Sequence, residues 1–118
     1  MLAANAMSAA PTLSVIVVCK NPGARLHAAL ASVWEQRHVP IELIVVDGGS
    51  TDGSRAWLEA QRARIAVLIT EPDTGVYDAM NKGIARARGE WLYFLCADDR
   101  LAGDMVLSET VNWMRKTE

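Results

Sequence analysis

The sequence predicts an α/β domain of three layers, α/β/α, built on a mostly parallel sheet. Two observations carry this. Four apolar runs rich in branched residues, "LSVIVV", "IELIVV", "IAVLIT" and "EWLYFL", recur along the chain, and the stretches between them space their apolar residues as helices do. Strands that are apolar throughout, rather than alternately, are covered on both faces, which is the signature of a parallel sheet with helices on each side. Parallel neighbours also require long, right-handed crossovers, and each interval holds a helix.

The elements follow in order. The first strand is expected over residues 13–18, internal in the sheet. Pro22 and Gly23 punctuate the start of a helix that carries Leu26, Leu30, Val33 and Trp34, and Pro40 closes that segment. A second strand over residues 41–46 runs into "DGGSTDGS", where Ser50 or Thr51 is expected to cap the helix holding Trp57 and Leu58. The third strand is expected over residues 65–70. The loop "EPDTG" then leads to a helix from about 76 to 87, ended by Gly89. The fourth strand covers residues 90–95, and Met105, Val106, Val111 and Met114 mark a closing helix.

Composition narrows the function classes. The 118 residues suit one domain, and 51% hydrophobic with 22% charged residues describes an ordinary globular chain. A formal net charge of -2 without a basic run gives no footprint for nucleic acid or an anionic membrane. No run approaches the ~18 apolar residues of a membrane helix. Residues 1–11, small and apolar without a basic start, read as a disordered leader before a domain at 12–118. Cys19 and Cys96 lie far apart in apolar runs, which favours reduced, buried thiols in the cytoplasm over a disulfide. Neither His27 nor His38 has a ligand-like spacing to them, and no serine–histidine or cysteine–histidine arrangement stands out.

In open parallel sheets, ligands bind beyond the carboxyl ends of the strands. That rule singles out four loops, 19–23, 47–53, 71–75 and 97–100. In "VVDGGSTDGS", Asp47 ends a strand and can accept hydrogen bonds from a ligand's N–H or hydroxyl groups, although a tight turn with a capped helix uses the same residues. The glycines do not fit a G-x-G-x-x-G fingerprint, and no G-x-x-x-x-G-K-[ST] loop occurs. In "EPDTGVYDAMNKG", Asp78 and Lys82 stand four apart and can pair on a helix face, which leaves Tyr77 and Asn81 without an account. In "LCADDR", Asp98 and Asp99 suit a hard divalent cation shared with substrate phosphates; a solvated turn before the last helix is the plain alternative. Three such loops on one edge make a nucleotide-diphosphate site the better joint reading.

Together these segments closely resemble the N-terminal half of inverting family 2 glycosyltransferases of the GT-A fold, over residues 13 to about 100. "EPDTGVYDAMNKG" looks most like the bacterial branch that builds cell-surface glycans. The resemblance implies a Rossmann-like nucleotide-binding half. It implies a nucleotide-diphospho-sugar donor, UDP-linked in the first instance, a glycan or lipid-linked acceptor, and Mg²⁺ or Mn²⁺. Asp47 matches the acid that helps hold the base and ribose, with Gly48 and Ser50 beside it; many relatives carry a second acid where this chain has Gly48. Val18, Lys20 and Asn21 fall in the segment that lines the base pocket. Asp73, Tyr77 and Lys82 lie where relatives shape the nucleotide and diphosphate pocket. Asp98 and Asp99 match the end of the metal-binding D-x-D-type motif, where Cys96 replaces a leading acid or amide, and Asp98 also faces the nucleotide.

Relatives continue well past this strand into the part carrying the acceptor site and the general base. Nothing after Arg100 resembles that base, so the chain reads as a truncated donor-binding half. An uncovered sheet edge then implies a homo-oligomer, and the parent system can associate peripherally with a membrane. Two other classes stay open: a catalytically silent nucleotide-binding or assembly module, and a nucleotidyltransferase, for which "CKNPGAR" is a poor phosphate loop.

Overall fold

The structure, a computed structural model, describes residues 11–117; of the leader expected over residues 1–11, all but Pro11 lies outside them. The element order is β1 (Leu13–Cys19), α1 (Arg25–Trp34), β2 (Ile41–Asp47), α2 (Ser54–Ala60), a 3₁₀ turn (Arg62–Arg64), β3 (Val67–Thr70), α3 (Val76–Arg86), β4 (Trp91–Cys96) and α4 (Val106–Thr117). The four strands form one parallel sheet in the order β3-β2-β1-β4, so β1 is internal as its apolar run implies. Leu13 stands opposite Ile41 on one side and Trp91 on the other.

Side chains alternate across this sheet, and both faces of β1 and β2 are buried. Val15, Val17, Leu43, Val45 and Leu95 meet Leu26, Leu30 and Val33 of α1, Leu58 of α2, and Leu107 and Val111 of α4. Ile16, Ile44 and Val46 face the other way, against Ala79 of α3. Each such aliphatic side chain removed from water contributes about 1.5–3 kcal/mol. The helix α3 comes close to β1 because its inner face is small: a Cβ on Gly83 would lie 2.6 Å from Cγ2 of Ile16.

Several expectations are corrected. β3 starts two residues late, because residues 62–64 wind a 3₁₀ turn and Ile65 packs into the core beyond it. Neither Ser50 nor Thr51 caps α2; Gly53 precedes it with φ 96°, and Asp52 accepts the Ser54 N–H at 3.0 Å. Gly89 does not end α3, which stops at Arg86 with Ala87 extended. Among the described residues, β4 is covered on one face only. It is an edge strand, and α3 packs on β1 and β2, leaving Leu92 at 42% and Phe94 at 41% exposed. Cys96 shares that open face and is exposed, not buried; Cys19 is half-buried, and both thiols are free.

At the amino ends of the strands a polar network ties β1, β2 and the α3–β4 connection together. The Ser14 hydroxyl donates to the buried Glu42 at 2.6 Å and accepts the Gly89 N–H at 2.8 Å, while the Arg88 N–H also donates to Glu42. Burial pushes the Glu42 carboxyl up, but the Ser14 hydroxyl and the Arg88 backbone N–H outweigh it and hold it below its ordinary value. The histidines belong to the scaffold: His27 stacks on Trp57 with ring centroids 4.0 Å apart, and His38 sits in a turn with φ 65°.

Candidate functional site

The parallel sheet delivers four loops to its carboxyl edge, 20–24, 48–53, 71–75 and 97–105. The first two are latched together. Asn21, at φ 50°, donates its N–H to Ser50 Oγ at 2.7 Å and accepts the Thr51 N–H on Oδ1 at 2.7 Å. Asp52 accepts the Gly23 N–H at 2.8 Å. Ser50 is expected at the nucleotide but is buried within this latch, and the Asn21 side chain is part of it too.

Asp47 lies beneath the latch. Its side chain is 0% exposed, and its carboxylate accepts the Ser50 hydroxyl, the Ser50 N–H at 3.2 Å and the Cys19 S–H at 3.9 Å. In this geometry Asp47 organises two loops and presents no open oxygen. Burial, then the Asp47 charge, push the Cys19 thiol up to about 12, so it stays protonated and donates to that carboxylate.

The third loop packs beside Asp47, whose carbonyl accepts the Glu71 N–H at 3.0 Å. Asp73 accepts the Gly75 N–H at 3.1 Å, and Asp78 accepts the Thr74 N–H at 3.0 Å across the start of α3. Lys82 donates to the Pro72 carbonyl at 3.0 Å and stands 3.6 Å from Asp78 and 3.8 Å from Glu71. The Asp78–Lys82 pairing legible in the sequence is therefore present, and Lys82 is spent on its own loop. Tyr77 projects outward at 78% exposure.

A cavity of about 280 Å³ opens between the first and third loops, lined by Val18, Cys19, Lys20, Asp73, Gly75, Val76 and Ala79. Sequence reasoning named Val18, Lys20 and Asp73 but missed Val76 and Ala79. Their signal was the apolar residue directly after Gly75 and the small one a turn later. Val18 pairs in register with Cys96, which places the fourth loop alongside. There Cys96, Asp98 and Asp99, all exposed, bring their ligand atoms within 4.8 Å of one another. That spacing fits a divalent cation. For a hard ion the two carboxylates are the suitable ligands, the thiol being a soft one.

A larger hollow of about 760 Å³ lies at the opposite, amino end of the sheet, lined in part by Trp34, Glu42, Arg64 and Arg88. Its buried acid, Glu42, is already bonded by Ser14 and Arg88, and the strand-end loops are not part of it. The smaller cavity is the better site, because it sits where a parallel sheet gathers its loops.

The sequence profile of glycosyl transferase family 2 matches residues 14–118. The chain belongs to that family. An uncharacterized glycosyltransferase of Mycobacterium tuberculosis is 44% identical over 106 residues, covering 89% of this chain and 40% of its own length. A PGL/p-HBAD biosynthesis glycosyltransferase of the same species is 42% identical over 96 residues, covering 79% and 38%. The putative teichuronic acid biosynthesis glycosyltransferase TuaG of Bacillus subtilis is 36% identical over 97 residues, covering 80% and 38%. This family 2 chain thus spans about 40% of the length of the curated relatives it matches.

Solved structures agree on the fold. S. aureus TarS 1–349 in complex with UDP-GlcNAc superposes with a TM-score of 0.77 at 24% identity, over 89% of this chain and 31% of that one. The mannosyltransferase PcManGT from Pyrobaculum calidifontis, in complex with GDP-Man and Mn²⁺, gives 0.76 at 29% identity, over 91% and 33%. The described part of the family 2 chain is therefore an α/β domain whose all-parallel four-stranded sheet and flanking helices superpose on part of each of them. None of its described helices is long and apolar enough to cross a membrane.

Proposed function

We propose that this chain is the donor-binding part of an inverting glycosyltransferase that uses a nucleotide-diphospho-sugar, UDP-linked in the first instance, to build a cell-surface glycan or glycolipid. The observation that carries the proposal is the placement of Cys96, Asp98 and Asp99, with ligand atoms within 4.8 Å, alongside the cavity that Val18, Lys20 and Asp73 line. The nucleotide takes that cavity and its diphosphate runs toward the two acids. Asp98 and Asp99 hold Mg²⁺ or Mn²⁺. When bound, such an ion neutralises charge on the diphosphate leaving group. Asp47, Ser50 and Asn21 set the position of the loops; Gly48 and Tyr77 border the nucleotide, and Lys82 fixes the third loop. The Mn²⁺ and nucleotide-sugars bound by the neighbouring structures, and the biosynthetic roles of the relatives, support this reading.

Inverting transfer needs a base within hydrogen-bond reach of the acceptor hydroxyl. Asp104 pairs with Arg37 at 3.5 Å and Glu109 is exposed on α4, so neither is offered for that role. We assign the base, with the acceptor site and any peripheral membrane contact, to the part of the relatives that this chain does not span. Cys96 in place of an acid favours one alternative, a nucleotide-binding module without turnover. The calorimetric test is common to both readings. UDP should bind more tightly with Mn²⁺ than without it. Asp99→Asn should weaken the Mn²⁺-dependent binding roughly tenfold or more, as losing a charged hydrogen-bonding group does, while stability changes by no more than about 0.5 kcal/mol. Unchanged Mn²⁺-dependent binding in that variant would leave Asp98–Asp99 a solvated turn.

The same reading includes a homo-oligomer in the cytoplasm. Among the described residues β4 is an edge strand, its own Leu92 and Phe94 are exposed, and Trp113 on α4 is 65% exposed. Such an edge is a template for pairing. Met114 packs against the chain's own core, which leaves Trp113 as the α4 contact. Light scattering should report a dimer or larger; a clean monomer at high concentration counts against it.

A further inference from the structure

We infer that Asp73 is the carboxylate that reads the donor's base, and that Gly48 lacks a side chain so that Asp73 can occupy that place. This rests on the nucleotide-binding reading above and adds to it the base class that the site selects.

Two carboxylates, Asp47 and Asp73, compete for the role, and the geometry around Gly48 separates them. Asp47 is 0% exposed and already accepts from Ser50 and Cys19. A ligand N–H could reach it only by breaking those bonds. Position 48, next in the chain, has no side chain. A Cβ built there would lie 2.5 Å from Oδ2, 3.0 Å from Cγ and 3.1 Å from Oδ1 of Asp73. The Asp73 carboxylate therefore fills the volume that a residue after β2 would otherwise use, reaching it from the loop after β3.

Asp73 is half-exposed and lines the 280 Å³ cavity. One of its oxygens accepts the Gly75 N–H at 3.1 Å. A carboxylate has about four lone-pair sites, so acceptor capacity is left for a ligand.

The chemistry of the cavity then points to a class of base. Val18, Val76 and Ala79 supply apolar walls suited to the flat face of a heterocycle. A carboxylate beside them accepts hydrogen bonds and donates none. Uracil and guanine each present a ring N–H on the pairing edge. Cytosine and adenine present a ring-nitrogen lone pair there, beside an amino group, and that lone pair faces the carboxylate unfavourably. The site selects a base with a ring N–H.

The test is calorimetry with UDP, GDP, CDP and ADP, all with Mn²⁺. The unmodified chain should bind the better of UDP and GDP roughly tenfold to a hundredfold more tightly than CDP or ADP, the range a charged hydrogen bond carries. In Asp73→Asn the side-chain oxygen can still accept the Gly75 N–H, so the loop keeps its shape. The amide can present a donor or an acceptor to the base, so the preference should fall to within about threefold. Gly48→Asp and Asp73→Gly should each weaken UDP binding roughly tenfold. The double exchange should recover most of the loss, since one carboxylate then fills the one available place. An unchanged base preference in Asp73→Asn, or no recovery in the double exchange, overturns the inference while the nucleotide site stands. Binding of none of the four nucleotides overturns the nucleotide site and this inference with it.

Discussion

Asp47→Ala should lower folding stability by about 3 to 5 kcal/mol, because it leaves two buried donors and one half-buried donor without an acceptor at about 1–3 kcal/mol each. Those donors are the Ser50 N–H, the Ser50 hydroxyl and the Cys19 S–H, all served by a carboxylate with no exposure. The damage should not stay local. Ser50 also accepts the Asn21 N–H, and Asn21 in turn accepts the Thr51 N–H, so the first two loops lose their latch together. Asp47→Asn is the informative companion, since its amide oxygen can still accept from Ser50 and should recover about half of the loss. Urea denaturation of both variants reads the effect. A midpoint for Asp47→Ala equal to that of the unmodified chain would show that this carboxylate does not organise the loops and would return it to the list of direct ligand contacts.

Gly89→Ala should cost about 3 kcal/mol, at the upper end of the ordinary range for overpacking. The added Cβ would lie 2.6 Å from the backbone nitrogen of Ser14, 2.6 Å from its hydroxyl and 2.9 Å from the carbonyl carbon of Leu13. Backbone of an internal strand cannot yield as a flexible side-chain tip can. The chain after α3 would have to shift, and the Gly89 N–H to Ser14 bond and the Arg88 N–H to Glu42 bond would shift with it. For a domain of this size the melting temperature should fall by on the order of 10 °C or more. The site lies at the opposite edge of the sheet, so nucleotide affinity per folded molecule should change little. A melting temperature within a degree of the unmodified chain would mean the approach of Gly89 to β1 is looser than described.

The strands show why so much of the fold was legible. In "LSVIVV" and "IELIVV" no residue alternates with a polar partner except Ser14 and Glu42, and those two bond each other inside the protein. An unbroken apolar run is a local property of the chain, readable without knowing its neighbours, and in β1 and β2 it is buried on both faces. The same holds for the helices: Leu26, Leu30 and Val33 form one stripe because backbone geometry puts them there. The strand-end location of the loops follows from parallel connectivity alone. β4 marks the limit, since "EWLYFL" is apolar whether or not something covers it, and only the packing of α3 over β1 and β2 leaves Leu92, Phe94 and Cys96 exposed.

The sequence by itself determined the layers, the internal place of β1, the four loops and the pair of acids after β4, because each rests on periodicity or on residues adjacent in the chain. The tertiary structure alone decided which groups each polar residue meets inside the protein. Asp47, Ser50 and Asn21 look like ligand contacts in the sequence, yet Ser50 bonds Asp47 three positions away, and Asn21 bonds Ser50 and Thr51 across 29 and 30 positions of chain. Asp73 lies against Gly48 although the two are far apart along the chain. A polar side chain at a strand end can serve a ligand or a neighbouring loop with the same atoms. Which it serves depends on distances between loops, and only the folded chain sets those.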